Sequence, residues 1–222
     1  MFHYRRAKHL TVIAVMAILF IACQPQTPDP GAGAGSDSDR ESSVAVSAAE
    51  SRAQGPQDQF FAALTELCGK RFNGRMVSTD PADTGRFSGP MQMQVRDCSP
   101  SEIRIPFSVG EDHSRTWVIS RTGQGLRLKH DHRHDDGSED VLSQYGGDTA
   151  SQGSAIRQEF PVDAYSKQLF EAQGLHVSMT NVWAVEVITG QLFAYELRRE
   201  NRYFRVEFAL GEPVVPDAPP AG

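Results

Sequence analysis

Segment 125–140, which reads GLRLKHDHRHDDGSED, contains three histidines at alternate positions. Alternate side chains of a β-strand point to the same side, so one face would carry Leu126, Leu128, His130, His132 and His134. Arginine, lysine and aspartate side chains would occupy the other face. The leucines mark the first face as the one toward the core. We therefore expect the imidazoles to continue that inward face toward the end of the strand.

Histidines at positions i and i+2 of a strand lie about 6.6 Å apart along the backbone. Their rings are able to converge on one divalent metal ion. His130 and His134 lie about 13 Å apart, so a site would use two of the three and a further ligand from elsewhere. The other interpretation is a hydrogen-bonded polar patch at the strand end.

Asp136-Gly137, which follows the histidines, predicts a hairpin turn. The acidic residues of that turn do not match the spacing of an EF-hand calcium site.

Signatures of the common catalytic sites are absent from the sequence. It contains no G-x-S-x-G, no P-loop, no H-E-x-x-H and no G-x-G-x-x-G after a strand. The sequence therefore favours a non-enzymatic role. A metal-dependent hydrolase with two of the three histidines as ligands is the enzymatic alternative.

The histidine strand belongs to a chain that alternates with period two along most of its length. The pattern is clearest near the C-terminus, in three runs joined by turns at Thr189-Gly190 and Glu200-Asn201: Trp183, Val185 and Val187; Phe193, Tyr195 and Leu197; Phe204, Val206, Phe208 and Leu210. Such alternation indicates antiparallel strands with one buried and one solvated face. Within this meander, Trp183, Phe193, Tyr195 and Phe204 form either a filled core or the lining of an apolar ligand pocket.

Two helices interrupt the strands. The first is predicted after Asp58 as N-cap, with Phe60, Phe61 and Leu64 on one face, and the second over 163–173, with Asp163 as cap and an apolar stripe of Tyr165, Leu169 and Ala172. Segments 80–83 and 145–148 are predicted as turns. The chain is thus mainly β. We expect an antiparallel lipocalin-like β-barrel with an N-terminal helix and a helix before the last three-strand meander, or alternatively a two-layer β-sandwich. Pro106 argues against perfect closure, because proline usually marks an edge or a bulge.

The N-terminus has the layout of a secretory signal: Arg5, Arg6 and Lys8, then an apolar run, then Cys23. Phe20-Ile21-Ala22-Cys23 resembles the lipobox of bacterial lipoproteins, although Phe20 stands where leucine is usual. That resemblance implies a signal peptide over 1–22, lipidation of Cys23 and attachment to the membrane through the lipid. Gln24 follows the cysteine where an inner-membrane retention signal would have aspartate, so the resemblance favours an outer-membrane lipoprotein facing the periplasm. A soluble periplasmic or secreted protein is the alternative.

The remaining cysteines, Cys68 and Cys98, form an even pair, which predicts a disulfide in an oxidising compartment. Residues 23–57 lack aromatic side chains and predict a disordered tether. Residues 58–212 are the size of a single β-rich domain, and proline-rich 213–222 predicts a disordered tail. The formal charge of −6 would become −9 without the signal, which argues against a nucleic-acid partner.

Several segments within residues 60–210, including Ser114-Arg115-Thr116-Trp117 and the histidine segment 125–140, resemble a family of small secreted proteins and lipoproteins of Gram-negative bacteria. That resemblance implies the same cellular location, in the bacterial envelope or outside the cell, and a single domain. It assigns no activity. Three hypotheses follow: a small-molecule-binding module, a metal-dependent enzyme, and a structural or interaction lipoprotein with a filled core. We favour the first.

Overall fold

The alternating segments form ten β-strands in the part of the chain that the structure describes. In a computed structural model that describes residues 55–83 and 85–214, these are β1 (Arg71–Met76), β2 (Met91–Gln94), β3 (Glu102–Val109), β4 (Asp112–Thr122), β5 (Gly125–His132), β6 (Tyr145–Asp148), β7 (Arg157–Pro161), β8 (Val182–Ile188), β9 (Leu192–Arg199) and β10 (Arg202–Ala209). The helices are α1 (Pro56–Thr65) and α2 (Ala164–Ala172), and short 3₁₀ turns span Pro81–Asp83 and His176–Thr180.

The strands form one antiparallel sheet in the order β6-β5-β4-β3-β2-β1-β10-β9-β8-β7. Strands consecutive in sequence pair with one another except β6 and β7, and β1 also pairs with β10. Within the described residues, the single seam therefore lies between β6 and β7. The result is a nearly closed up-and-down barrel, compatible with a lipocalin-like fold. It confirms the predicted barrel rather than the two-layer sandwich.

Some of the sequence-based predictions fall outside the described residues. These are the signal peptide over 1–22, the lipidated Cys23, the tether as far as residue 54 and the tail from residue 215. Helix α1 begins at Pro56, two residues before the predicted domain boundary. No helix in ranges 55–83 and 85–214 has the length and apolar character needed to cross a bilayer.

Helix α1 places its apolar face against one end of the barrel. Phe60, Phe61 and Leu64 are buried, as their helical spacing predicts. The predicted N-cap was wrong: Gly55 caps the helix, with Pro56 in its first turn. Asp58 instead forms an ion pair with Arg121. The helix therefore covers the barrel end that contains the β4–β5 hairpin.

Helix α2 is capped as predicted but buries different residues. The Asp163 side chain accepts a hydrogen bond from the Ser166 backbone N–H at 2.8 Å. Ser166 and Phe170 are the buried residues, whereas Tyr165 is 52% exposed and Ala172 is also exposed. The predicted stripe of Tyr165, Leu169 and Ala172 was wrong, because the start of α2 is fixed to strand β6 and that attachment sets which side of the helix faces inward.

The seam between β6 and β7 is bridged by residues at the start of α2. The Asp163 backbone N–H donates to the Gly146 carbonyl at 3.0 Å, and the Ser166 hydroxyl bonds both the N–H and the carbonyl of Gly146. A Cβ on Gly147 would overlap the Pro161 carbonyl oxygen. Segment 145–148, predicted as a turn, is therefore strand β6, and its glycines allow the close approach that the seam requires.

The disulfide predicted from the cysteine count is present. Cys68 follows α1 and Cys98 lies between β2 and β3, with their Cα atoms 6.3 Å apart and a sequence separation of 30. The bond therefore fixes the helix-covered end of the barrel to the β2–β3 connection.

We predict that the double variant Cys68→Ser/Cys98→Ser loses about 3–4 kcal/mol of unfolding free energy, because the unfolded chain regains the entropy of an open loop. Urea denaturation of the wild type and the variant measures this difference. Alkylation of the unreduced, folded protein is the control. Two reactive thiols in residues 55–214, or an unchanged denaturation midpoint, would contradict the disulfide.

We further predict that Gly147→Ala destabilises the protein by about 1–3 kcal/mol, because the added methyl group forces Pro161 away from β6. Gly123→Ala is the matched control, since an added Cβ there meets open space. Hydrogen exchange should show faster exchange of the Asp163 amide in the Gly147 variant alone. Equal stability of the two variants would show that the seam does not depend on this close approach.

Candidate functional site

The end of the barrel opposite α1 contains a group of polar side chains that face inward. We call it the mouth; it is formed by the start of β4, the end of β5 and the start of β6. Cross-strand pairs bring Trp117 opposite His130, and Arg115 opposite His132. Tyr145 pairs with His130 from the other side. Two histidines, an arginine and a tyrosine therefore lie together on the inner surface.

His130 points into the barrel, as predicted, and is 3% exposed. Its Nδ1 lies 3.0 Å from the Tyr145 carbonyl, and its Nε2 lies 2.7 Å from the Tyr195 hydroxyl. A carbonyl only accepts, so Nδ1 carries the proton and Nε2 accepts from Tyr195. Both ring nitrogens therefore have partners within the protein.

Burial keeps this imidazole neutral. It lowers the pKa of His130 to about 3, and the neighbouring charges of His132 and Lys129 act in the same direction. Burial also raises the pKa of Tyr195 well above its ordinary value. His130 and Tyr195 thus form an uncharged hydrogen-bonded pair in the apolar interior.

His132 occupies an intermediate position at the end of β5. It is partly buried, and its Nε2 lies 3.4 Å from the Tyr145 hydroxyl. Burial lowers the pKa of His132, and the positive charge of Arg115 adds to that effect. Burial likewise raises the pKa of Tyr145 to about 12. At neutral pH the His132 ring is therefore uncharged, with access to the surface that His130 lacks.

His134 lies beyond the strand, in the turn before Gly137, and its side chain is 57% exposed. Its Nε2 is 3.7 Å from the Asp140 carboxylate. The prediction that three imidazoles share an inward face was therefore confirmed for His130, partly confirmed for His132 and wrong for His134, because β5 ends at His132. The described residues contain no group of three or more His, Cys, Asp and Glu side chains placed to hold a metal ion.

The four aromatic residues considered for a ligand pocket all lie in the barrel interior. Trp183, Phe193, Tyr195 and Phe204 are between 0% and 6% exposed. Two of them contact Trp117: its ring stacks on Tyr195 at 4.4 Å and lies 6.0 Å from Phe193, and it also stacks on Phe107 at 4.7 Å between centroids. Trp183 reaches the mouth, where it contacts His130 at 5.2 Å. Side chains of the protein itself thus occupy the space around this group.

Arg115 is the mouth residue that sequence reasoning missed. It lies two residues before Trp117 and so shares the inward face, with a side chain only 17% exposed. Its Nη1 is 2.7 Å from the Asp112 carboxylate, and its guanidinium lies 5.7 Å from the centre of the Phe87 ring. The signal was available in the sequence, because alternation from a core tryptophan places position 115 inside.

Phe87 belongs to the connection between β1 and β2. This connection reaches the mouth, where the Phe87 ring faces the Arg115 guanidinium. The same ring packs on Phe204 at 4.6 Å. An ion pair fixes this connection to the barrel: the Arg202 guanidinium bonds both carboxylate oxygens of Asp83, which is 1% exposed, and also bonds Asp80. The connection therefore acts as a cover for part of the mouth.

Beside this cover, an open cleft of about 540 Å³ extends along the β5–β6 connection. It is lined by polar side chains of both signs: Ser114, His132, Arg133, His134, Asp135, Asp136 and Asp140. A buried ion pair positions its rim, because Asp131 on the outer face of β5 binds Arg133 at 3.0 Å and also Arg104. The cleft connects the half-buried His132 with solvent.

Comparisons of the chain with protein-family models, with curated proteins and with solved structures find no match.

We predict that His130 makes unfolding sensitive to pH. Its folded-state pKa of about 3 lies below the ordinary value of 6.5, so the unfolded chain binds a proton first as the pH falls. The free energy of unfolding should therefore decrease from pH 6.5 toward pH 3, by up to about 1.4 kcal/mol per pH unit.

Urea denaturation across that pH interval measures the slope, and His130→Gln should reduce it. His176→Gln, at an exposed site paired with Glu171, is the matched control and should keep the wild-type slope. An unchanged slope in the His130 variant would show that the imidazole is not held neutral by burial.

Proposed function

We propose that this protein is a non-enzymatic binding module that holds a small zwitterionic molecule at the mouth of the barrel. The observation that supports this most is the open cleft of about 540 Å³ that ends on His132, the histidine with both partial burial and access to the surface. A volume of this size suits a small organic ligand.

The lining of the cleft suits a ligand with charges of both signs. Asp135, Asp136 and Asp140 offer carboxylates to a positive group, while Arg133 and the Ser114 hydroxyl offer donors to a negative one. Uncharged His132 adds one donor and one acceptor at the inner end. A free amino acid or a dipeptide combines an ammonium and a carboxylate at this scale.

The packing of the interior favours the mouth over the barrel centre as the binding position. Trp117 is stacked between Tyr195 and Phe107, and its ring also lies 6.0 Å from Phe193. A ligand at the centre would have to displace these aromatic contacts. The same packing favours the second candidate, a structural or interaction protein with a filled core, whose function would lie on its outer surface.

The geometry supports the binding role better than a metal-dependent enzyme. Both ring nitrogens of His130 already bond Tyr145 and Tyr195, so this side chain would have to break two hydrogen bonds to become a ligand. His132 and His134 remain as candidate ligands for a divalent metal, and they lie on the same cleft.

We also propose the cellular location that the N-terminus predicts: the protein is an outer-membrane lipoprotein, anchored through Cys23 and facing the periplasm. The Cys68–Cys98 disulfide supports an oxidising compartment, since such bonds persist there.

We predict that free amino acids and dipeptides, added as a panel to the isotopically labelled full chain, shift the backbone amide signals of Ser114, His132 and Arg133. His132→Phe keeps a planar ring but removes both nitrogens, so it should weaken the strongest probe by about tenfold. His176→Phe, at an exposed histidine outside the cleft, is the matched control and should leave the affinity unchanged.

Either of two results would contradict the proposal. One is a panel that produces no shift at the cleft residues at millimolar concentration. The other is equal affinity in the wild type and the His132 variant. Retained pairing of His130 with Tyr195, observed through the imidazole signals, would show that the His132 variant is folded.

A further inference from the structure

A second concave surface lies on the outside of the barrel, away from the inward-facing mouth residues. It is a groove of about 330 Å³ across strands β1 to β4. Its polar lining residues are Arg71, Gln92, Gln94, Arg96, Ser108, His113 and Thr116. We call it the outer groove.

The outer groove lies over a point where the pairing of β2 and β3 is interrupted. The two strands pair from Met91 to Met93, and the next bridge joins Arg96 to Arg104. Between these points β3 contains Pro106, which has no N–H to donate to a ladder. Met93 and Phe107, which pair just before this interruption, contribute to the groove lining although both belong to the core.

Two arginines stand at one side of the groove. Arg71 lies directly opposite Gln94 in the β1–β2 register, with its Nη2 3.4 Å from the Gln94 side-chain oxygen. Arg96 follows Gln94 by two residues, so it is the diagonal neighbour of Arg71, at about 7–8 Å between backbones. Two long guanidinium side chains at this spacing are able to contact one anionic group.

The charge of the groove contrasts with that of the whole chain. The protein carries a formal charge of −6, yet none of the residues that line the groove is a carboxylate. Within residues 55–83 and 85–214, Arg71 forms no ion pair, and Arg96 pairs with Asp97 at a site where both side chains are 56% exposed. The Arg71 guanidinium thus keeps donors available for a ligand.

Amide and hydroxyl side chains line the groove beside the arginines, together with His113 and the apolar Met93, Pro106 and Phe107. The Gln92 amide bonds Asn73 at 3.1 Å, Ser108 lies opposite Gln92 on β3, and Thr116 lies opposite Pro106 on β4. Amides and hydroxyls both donate and accept, which suits the hydroxyl groups of a sugar. Guanidinium groups beside them suit a carboxylate, through paired hydrogen bonds.

From these observations we propose that the outer groove binds an anionic saccharide, with the acidic group of the sugar on Arg71 and Arg96 and its hydroxyls on Gln92, Gln94, Ser108 and Thr116. The groove is open at the surface, so it accommodates a segment of a longer glycan as well as a single unit. This site is independent of the proposed binding role of the mouth.

Isothermal titration of the full chain with a galacturonate trisaccharide tests the proposal, with neutral maltotriose and inorganic sulfate as comparison probes. The galacturonate probe should bind at least tenfold more tightly than either, and binding should weaken as salt is raised. Arg71→Gln should weaken it by about tenfold. Arg75→Gln is the matched control, because Arg75 is an exposed arginine on the same face of β1 that does not line the groove.

Loss of affinity in Arg71→Gln alone, with an unchanged thermal midpoint, supports the site. Equal weakening by Arg75→Gln would overturn it, since that result indicates attraction by diffuse charge. Equal binding of maltotriose, or of inorganic sulfate, would also overturn the assignment of an anionic saccharide. Tighter binding of a thymidine oligonucleotide than of the trisaccharide would assign the groove to nucleic acid instead.

Discussion

The seam between β6 and β7 is the constraint on which the barrel depends. A sheet closed on itself leaves backbone groups unpaired wherever two strands fail to join, and buried groups of this kind require partners. Gly146 meets that requirement through Asp163 and Ser166, and Lys129 binds the Asp163 carboxylate at 2.5 Å. Burial alone would raise the pKa of Asp163, but hydrogen bonds from Lys129 and Ser166 lower it overall. Asp163 thus caps α2 and helps close the barrel.

The arrangement of the mouth follows from this closure. Strand β6 carries Tyr145, whose carbonyl fixes the tautomer of His130 and whose hydroxyl lies near His132. If β6 moved away from β7, the Tyr145 ring, which stacks on His130 at 4.5 Å, would move with it. The seam therefore determines whether the imidazoles are buried, and burial in turn determines their charge.

The protein treats ionisable groups differently on the two faces of its sheet. Inside, His130 and Tyr195 are neutral and bonded to each other. Outside, charges are kept and paired: Glu196 on β9 is 5% exposed because Arg157 and Arg205 cover it. Burial alone would raise the pKa of Glu196, but these two arginines lower it overall. In the outer groove, Arg96 pairs with exposed Asp97, whereas Arg71 forms no ion pair within the described residues and so remains available.

The sequence by itself determined the features that depend on local periodicity and composition. Alternation predicted the strands of the terminal meander, helical spacing placed Phe60, Phe61 and Leu64 inside, and the cysteine count predicted the disulfide. Tertiary structure decided what depends on contact between distant segments. Gly146 and Gly147 suggested a turn, and only the approach of Pro161 and Asp163 explains a strand there. The position of Phe87 at the mouth and the burial of Glu196 likewise arise from neighbours distant in sequence. Within a continuous strand, local pattern specifies which face a residue occupies, whereas the end of the strand, the buried side of α2 and the partners that a residue meets depend on closure of the whole barrel.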